Sequence, residues 1–201
     1  MDNLTSKNNR ELYDEDYYLT RVEGWQEFKA GKVHPKKKSI VDKSGVKGKI
    51  ILDIGCGRGE FIKLSIQNGA KYCYGIDYSK ASISIARKYL KGVENIKLIT
   101  GSYKKITAIE DKIERCFMID FIEHISFDEF KECLEEVKKI QAQDIIIIGS
   151  TPINIKRGDY KGMHISQHTT ETIKQIGQPF YNRIDFSYDK GNLYFAMRDP
   201  K

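Results

Sequence analysis

The feature that most constrains the fold is a glycine-rich turn directly after a short aliphatic run. Residues 49–54 have the composition of a buried β-strand, and residues 55–59 follow as Gly-Cys-Gly-Arg-Gly. Glycines here let the chain turn sharply from a strand into a helix and let a ligand approach the backbone. The next residues have helical spacing and end at Gly69. This strand–turn–helix unit predicts a parallel sheet with a ligand at the strand ends.

Short β-rich runs and helical stretches alternate over the rest of the chain, which is typical of crossover units. Four further strands are predicted, at residues 72–76, 96–99, 116–119 and 145–148. Residues 183–188 and 193–197 alternate in polarity around a polar turn, which predicts an antiparallel hairpin. We therefore predict an α/β fold, a Rossmann-like doubly wound sheet of seven strands, mostly parallel and closed by a C-terminal antiparallel hairpin.

The net charge of +6 is unevenly distributed along the 201 residues. Residues 1–28 carry three positive and seven negative charges, whereas residues 29–49 carry eight positive and one negative. We divide the chain into an N-terminal helical cap with a basic segment, residues 1–48, and a ligand-binding domain, residues 49–201. A lysine-rich segment of this kind most often forms a solvated linker, and binding of an anionic substrate is the alternative.

The composition excludes several other classes of protein. With 40% hydrophobic and 31% charged residues, the chain is globular rather than disordered. Its longest aliphatic run, residues 145–148, is far shorter than the roughly 20 residues of a membrane helix, and its polar start is not a signal peptide. We expect a cytoplasmic protein without a membrane partner, as a monomer or a homodimer. The four cysteines stand singly, which indicates reduced thiols, and no cluster of histidine and acidic residues has metal-ligand spacing, so we expect no metal.

The glycine-rich turn also limits the chemistry of its ligand. A dinucleotide site requires a small residue three positions after Gly57, and this chain has Glu60 there. A carboxylate at the helix N-terminus would repel phosphates, so the turn suits a positively charged ligand that lacks phosphate. S-adenosylmethionine, with an ammonium and a sulfonium group, meets this description.

Three further motifs follow the next three strands. Asp77 ends the second strand, where its two oxygens can accept hydrogen bonds from both hydroxyls of a ribose. Gly101, Ser102 and Tyr103 follow the third strand, at the level where an adenine would lie. Residues 120–124, Asp-Phe-Ile-Glu-His, follow the fourth strand. All of these groups are therefore expected at one edge of the sheet.

With these motifs, residues 45–199 resemble the class I S-adenosylmethionine-dependent methyltransferases, specifically the small-molecule branch that carries D-x-G-C-G-x-G and D-x-x-E-H. The resemblance implies S-adenosylmethionine as cofactor and S-adenosylhomocysteine as product. It also implies that the glycine-rich turn frames the methionine end, that Asp77 holds the ribose, and that Asp120 lies near the sulfonium. The cofactor-binding residues predicted in this way are Asp53, Gly55, Cys56, Gly57, Asp77, Tyr78, Gly101, Ser102, Tyr103, Asp120 and Phe121.

Two histidines are predicted to be catalytic, as candidate general bases. His164 begins a stretch that resembles the one before the last helix in relatives, and we rank it above His124. His168 occupies a position where relatives usually have an aromatic residue. Each candidate also has a plainer interpretation, because His124 and Glu123 can simply buttress the crossover and a loop histidine such as His164 is often only solvated.

The N-terminal cap carries a group of aromatic residues, namely Tyr13, Tyr17, Tyr18, Trp25 and Phe28. These side chains form either a lid over the ligand or the packed face of an amphipathic helix. Because most of the chain belongs to the cofactor fold, recognition of the methyl acceptor must come from the cap and from the connection after the fifth strand.

The predicted function is transfer of the methyl group of S-adenosylmethionine to an oxygen or nitrogen of a small acceptor, which the basic segment suggests is anionic. The alternatives are an RNA or protein methyltransferase and a non-catalytic S-adenosylmethionine-binding module. Nucleic acid is the less favoured partner, since residues 120–123 are not the Asn/Asp-Pro-Pro-aromatic run of adenine N6 enzymes and the chain has no Pro-Cys nucleophile. The sequence does not identify the acceptor.

Overall fold

The computed structural model describes residues 11–154 and 163–201, which form a seven-stranded sheet with helices on both faces. The strands are β1 (Ile50–Ile54), β2 (Tyr72–Asp77), β3 (Ile96–Thr100), β4 (Ile113–Ile119), β5 (Gln141–Pro152), β6 (Tyr181–Asp189) and β7 (Asn192–Pro200). The helices are α1 (Glu15–Thr20), α2 (Trp25–Lys29), α3 (Pro35–Lys43), α4 (Glu60–Gln67), α5 (Lys80–Tyr89), α6 (Phe127–Ile140) and α7 (Thr170–Gly177). Two 3-10 turns lie at Tyr103–Ala108 and Ile122–His124.

The strand order is β3-β2-β1-β4-β5-β7-β6. Strands β1 to β5 pair in parallel, and β7 pairs antiparallel with both β5 and β6. The predicted fold class is thereby confirmed. The order reverses between β1 and β4, and ligands of doubly wound sheets bind in the crevice beyond the strand ends at such a reversal.

Two hydrophobic clusters cover the two faces of the sheet, which explains why its central strands are apolar throughout. Leu52 packs in one cluster, with Phe130 and Leu134 of α6. Its neighbour Ile51 points to the opposite face and packs in the other cluster, with residues of α3, α4 and α5. This alternation fixes the register of β1, so the turn after Ile54 is held on a buried support.

Helix α3 corrects one expectation about the basic segment. Pro35 starts the helix at the position where proline costs no hydrogen bond, and Val41 is buried against the α4 side of the sheet. The interpretation of residues 29–49 as a solvated linker is therefore wrong for Pro35–Lys43. The four cysteines are free and buried, as predicted.

The end of the parallel sheet also differs from prediction. The sequence predicts a strand at residues 145–148, but β5 begins at Gln141, directly after the last residue of α6. Helix α7 lies in the connection between β5 and β6. Residues 155–162 of that connection lie outside the described residues. Within the described residues, no helix is long and apolar enough to cross a bilayer.

Candidate functional site

A cavity opens at the carboxyl ends of β1, β2 and β4. All eleven predicted cofactor-binding residues line it, together with the candidate catalytic residue His124. The other candidate, His164, lies beside His124, with 4.9 Å between the ring centroids. The N-terminal cap contributes Tyr13, Tyr17, Tyr18 and Val22 to the lining. The fold thus brings together groups that are spread over more than 100 residues of sequence.

The glycine-rich turn is held tightly against β2. The backbone N–H groups of Gly55 and Cys56 both donate to the carbonyl of Ile76, at 2.8 and 3.1 Å. Gly55 has a φ of 77°, and a Cβ atom there would lie 2.9 Å from the ring of Phe121. Only glycine combines this backbone conformation with so close a neighbour. The turn therefore presents bare backbone to the cavity.

Asp77 is a buried carboxylate whose two oxygens are both oriented by the backbone. Its Oδ2 accepts from the N–H of Gly57 at 2.9 Å, and its Oδ1 accepts from the N–H of Ser79 at 2.8 Å. Burial raises the pKa of Asp77, and these hydrogen bonds oppose the shift. Because each carboxylate oxygen can accept more than one hydrogen bond, both remain able to bind a pair of hydroxyl groups.

Asp53 is almost completely buried, with 3% of its surface exposed. Its Oδ2 has no hydrogen-bond partner among the described residues. Burial raises the pKa of Asp53 to about 7, and the positive charge of Lys37 only partly opposes this. A buried acceptor of this kind at a cavity wall is stabilised when a ligand brings an N–H donor. The ammonium group of S-adenosylmethionine is such a donor, so the residues present fit this cofactor.

Asp120 ends β4 in a left-handed backbone conformation, with a φ of 50°. Its N–H donates to the carbonyl of Ser150 at 3.0 Å, and the Ser150 hydroxyl donates to its Oδ1 at 2.8 Å. Lys36 from α3 donates to both carboxylate oxygens, at 2.8 and 2.9 Å. Burial opposes the charge on Lys36, but the charges of Asp120 and Glu23 outweigh it and hold the pKa of Lys36 above its usual range. The cap is therefore tied by charge to the sulfonium end of the predicted site.

A second group of charges joins the cap to the glycine-rich turn. Glu60 is buried, and its Oε2 accepts from Lys37 at 2.6 Å and from Arg58 at 2.9 Å. Arg58 also donates to the carbonyl of Tyr18 at 2.9 Å. From the sequence alone, the charge of Glu60 at the helix N-terminus is expected to repel a phosphate. The structure corrects this, because two cations neutralise Glu60.

His124 lies at the edge of the cavity, between the cap and the connection after β5. Its Nδ1 is 2.7 Å from the hydroxyl of Tyr13 and 3.1 Å from the carbonyl of Met163. Burial and the neighbouring His164 lower the pKa of His124 to about 4, so its imidazole is neutral at physiological pH. The hydroxyl contact with Tyr13 was not foreseen, because residues 13 and 124 are distant in sequence.

The sequence predicted no metal, but the fold assembles three potential ligands. One ligand atom each from Glu123, His124 and His164 lies within 4.8 Å of the others. The prediction relied on spacing along the chain, whereas His164 reaches the other two residues through the connection after β5. His168 does not join this group, since it is buried, contacts the carbonyl of Ile122 at 3.0 Å and packs edge-on against Phe130.

A comparison with known protein families matches the same part of the chain. Residues 51–144 match the family model described as a methyltransferase domain, and this segment contains the glycine-rich turn, Asp77 and residues 120–124. These residues form a class I methyltransferase domain. S-adenosylmethionine is the cofactor that this class of domain uses, in agreement with the sequence prediction.

Several solved structures share the fold of the methyltransferase domain over nearly the whole chain. Magnesium protoporphyrin IX methyltransferase from Synechocystis PCC 6803, solved with bound S-adenosylmethionine, is 18% identical with a TM-score of 0.69, covering 98% of this chain and 99% of that one. The PH0226 protein from Pyrococcus horikoshii OT3 is 18% identical with a TM-score of 0.70, covering 92% and 96%. The complex of DhpI with S-adenosylhomocysteine is 14% identical with a TM-score of 0.68, covering 96% and 98%.

The curated relatives match a shorter segment. Protein arginine N-methyltransferase 1 from Chlamydomonas reinhardtii is 36% identical over 70 residues, and its counterpart from Dictyostelium discoideum is 34% identical over 70 residues. These alignments cover 34% and 33% of this chain. The chain matches about a fifth of the length of these relatives.

Proposed function

We propose that this protein transfers a methyl group from S-adenosylmethionine to an oxygen or nitrogen of a small acceptor molecule. The observation that carries the proposal is the convergence of two sets of groups on one cavity. Cofactor-type groups from β1, β2 and β4 form its floor, and tyrosines of the cap form its cover. When bound, the cofactor supplies an electrophilic methyl group, so the protein must bind, orient and exclude water.

The residues of the domain divide this work along the cavity. Asp77 holds the ribose through its two backbone-oriented oxygens, and Asp53 accepts a hydrogen bond from the ammonium group at the methionine end. Tyr78, Ser102 and Tyr103 surround the adenine. Other members of the predicted set are Gly55, Cys56 and Gly57, which present backbone to the ligand, and Gly101, Asp120 and Phe121, which complete the walls.

The cover of the cavity favours a small acceptor over a macromolecule. The ring of Tyr13 packs edge-on against Tyr78 and against Tyr17, with 5.2 Å between ring centroids in each pair. Through these contacts the cap packs on Tyr78, one of the predicted cofactor-binding residues, which supports a role of the cap as a cover. A folded protein surface could not reach a methyl group beneath this cover unless the cap moved away. Magnesium protoporphyrin IX methyltransferase, which shares the fold, is itself named for a small-molecule substrate.

The structure gives little support to an anionic acceptor. The two lysines of the basic segment that face the cavity region are Lys36 and Lys37, and both are paired with carboxylates. Their positive charges are therefore neutralised by carboxylates of the protein itself. We propose instead that the acceptor is recognised by apolar and hydroxyl contacts with the tyrosines, and that His124 and His164 activate its nucleophilic atom.

Binding of the cofactor product gives the first test. Calorimetry with S-adenosylhomocysteine should show binding to the parent protein and a loss of affinity of at least about 100-fold in Asp77→Ala, because a pair of charge-assisted hydrogen bonds is removed. Asp189→Ala, at the exposed hairpin turn, is the matched control and should bind as the parent does. Absence of binding by the parent protein would refute the proposal.

A second candidate function is methylation of protein arginine, favoured by the 36% identity to an arginine N-methyltransferase over 70 residues. Labelled S-adenosylmethionine should be incubated with the protein and either a set of small phenols and amines or arginine-rich peptides. Label in the small molecules supports the first proposal, and label in the peptides alone supports the second. Binding of S-adenosylhomocysteine with no transfer to either set would favour a non-catalytic binding module.

A further inference from the structure

The side chains of Glu123, His124 and His164 form a compact group beside the cavity, which His124 lines. Their nearest ligand-type atoms all lie within 4.8 Å of one another. Ligands about 2.1 Å from a shared metal ion lie about 3 to 4 Å apart, so adjustments of about 1 Å would close a coordination sphere. Two imidazoles and one carboxylate are a ligand set that binds divalent first-row metals.

Glu123 provides the second and independent observation. Only 1% of its surface is exposed, and its Oε2 atom has no hydrogen-bond partner among the described residues. A buried carboxyl oxygen without a partner destabilises the folded protein, and coordination to a metal ion is one of the few interactions that offsets this penalty. The backbone carbonyl of Glu123 also accepts from the N–H groups of Ile165 and Ser166, at 2.9 and 3.2 Å, which holds the His164 segment against the Glu123 turn.

His124 is oriented in the way that metal-binding histidines usually are. Its Nδ1 lies within hydrogen-bond distance of the carbonyl of Met163 and of the hydroxyl of Tyr13. A ligating histidine commonly donates one ring N–H to a carbonyl and binds the metal through its other nitrogen. The contacts of Nδ1 therefore leave Nε2 for a ligand.

We propose that Glu123, His124 and His164 bind a divalent first-row transition-metal ion, with Zn²⁺ as the preferred cation. Three protein ligands leave at least one coordination position open, as in catalytic zinc sites. This deepens the proposed function and rests on it for its catalytic meaning, since an acceptor oxygen in the open position would be polarised and would lose its proton to solvent more readily. The two histidines then act on the acceptor through the cation and not by taking its proton directly.

The test is a metal titration of the untagged full-length protein after treatment with a chelator. Calorimetry with Zn²⁺ should give one site, and Glu123→Gln and His164→Asn should each weaken it at least about 100-fold. Tyr13→Phe, which removes the hydroxyl that contacts His124 Nδ1, should weaken it about 10-fold. The chain has four histidines, so His34→Gln is the matched control that removes an imidazole elsewhere and should bind as the parent does.

Spectroscopy and cofactor binding keep the outcomes distinct. The Co²⁺-loaded parent protein should give a visible spectrum of nitrogen and oxygen ligation, and a thiolate band would assign the ion to a cysteine and overturn the proposal. Equal Zn²⁺ affinity of the parent and of His164→Asn would overturn it as well. Each variant should still bind S-adenosylhomocysteine as the parent does, which shows that it is folded. If the parent protein does not bind S-adenosylhomocysteine, the proposed function is refuted, whereas the result of the metal titration still stands.

Discussion

Replacing Asp53 with asparagine should stabilise the protein at high pH and weaken cofactor binding at the same time. Asp53 is buried, its Oδ2 has no hydrogen-bond partner in the part of the chain that the structure describes, and its pKa is raised from 3.8 to about 7. The folded chain therefore holds a proton that the unfolded chain releases between about pH 4 and pH 7. By linkage, stability falls as pH rises through this window and levels off above pH 7.

The size of the effect follows from the shift. About 3 pKa units at 1.36 kcal/mol each give about 4 kcal/mol as an upper limit at pH 8, and nearly nothing at pH 4. For a chain of this size, 4 kcal/mol corresponds to a rise in Tm of roughly 8–16 °C for Asp53→Asn at pH 8. The same variant loses the carboxylate that we propose accepts from the cofactor ammonium, so its affinity for S-adenosylhomocysteine should fall about 10-fold or more.

Urea unfolding of the parent and of Asp53→Asn at pH 4.5, 6 and 8 measures the first effect, and calorimetry measures the second. Asp189→Asn, at the exposed hairpin, is the control and should follow the parent at every pH. A stability difference between the parent and Asp53→Asn that is the same at pH 4.5 and pH 8 would show that burial of the charge is not its cause. Unchanged affinity for the cofactor product would remove Asp53 from the binding site.

Three further pairs of substitutions test other parts of the structure. Lys36→Met should lower the free energy of unfolding in urea by about 1–3 kcal/mol, because Asp120 loses its cation. Lys38→Met, at an exposed position of the same helix, is the control and should change the free energy of unfolding by less than about 0.5 kcal/mol. Gly55→Ala should weaken binding of S-adenosylhomocysteine at least about 10-fold in calorimetry, because the new Cβ atom would meet the ring of Phe121. Gly31→Ala is the control: it introduces a similar backbone strain, but its Cβ atom would meet no described atom within 4 Å, so the affinity should be unchanged. In urea, the free energy of unfolding of His168→Phe should lie within about 1 kcal/mol of that of the parent, whereas His168→Ala should lower it by about 3 kcal/mol because packing is lost. Equal decreases for the two variants would show that His168 acts through its contact with the carbonyl of Ile122.

The sheet and the cofactor side of the site are predictable from the sequence because their signals are local. The run before Gly55 is apolar on both faces, and the left-handed turn after it requires glycine, so a few adjacent residues specify strand, turn and ligand edge. Asp77 and Asp120 follow directly from strands whose ends meet at that edge. The extended β5 is not predicted because its first four residues, 141–144, are mostly polar and only partly buried, and pairing of Gln141 with Ile113 of β4 overrides their weak strand preference.

The acceptor side is not predictable in this way because its contacts join distant segments. Lys36 meets Asp120 across 84 residues, and Tyr13 meets His124 across 111. Neither pair leaves a pattern in the sequence between them. The same holds for Glu123 and His164, which meet because the N–H groups of Ile165 and Ser166 donate to the Glu123 carbonyl and hold the His164 segment against the 3-10 turn.

The ion pairs of the cap also decide how freely this part of the chain could be exchanged. An accessory segment that only packs on the surface of a domain can be exchanged as a unit between related proteins. Here, removal of α3 would leave Glu60 without one of its two cations and Asp120 without its lysine, and removal of α1 would deprive Arg58 of the Tyr18 carbonyl. A chimera with a foreign cap must therefore supply matching charges at these positions. With the cap in its proposed role toward the acceptor, a change of cap would alter acceptor selection and the stability of the glycine-rich turn together.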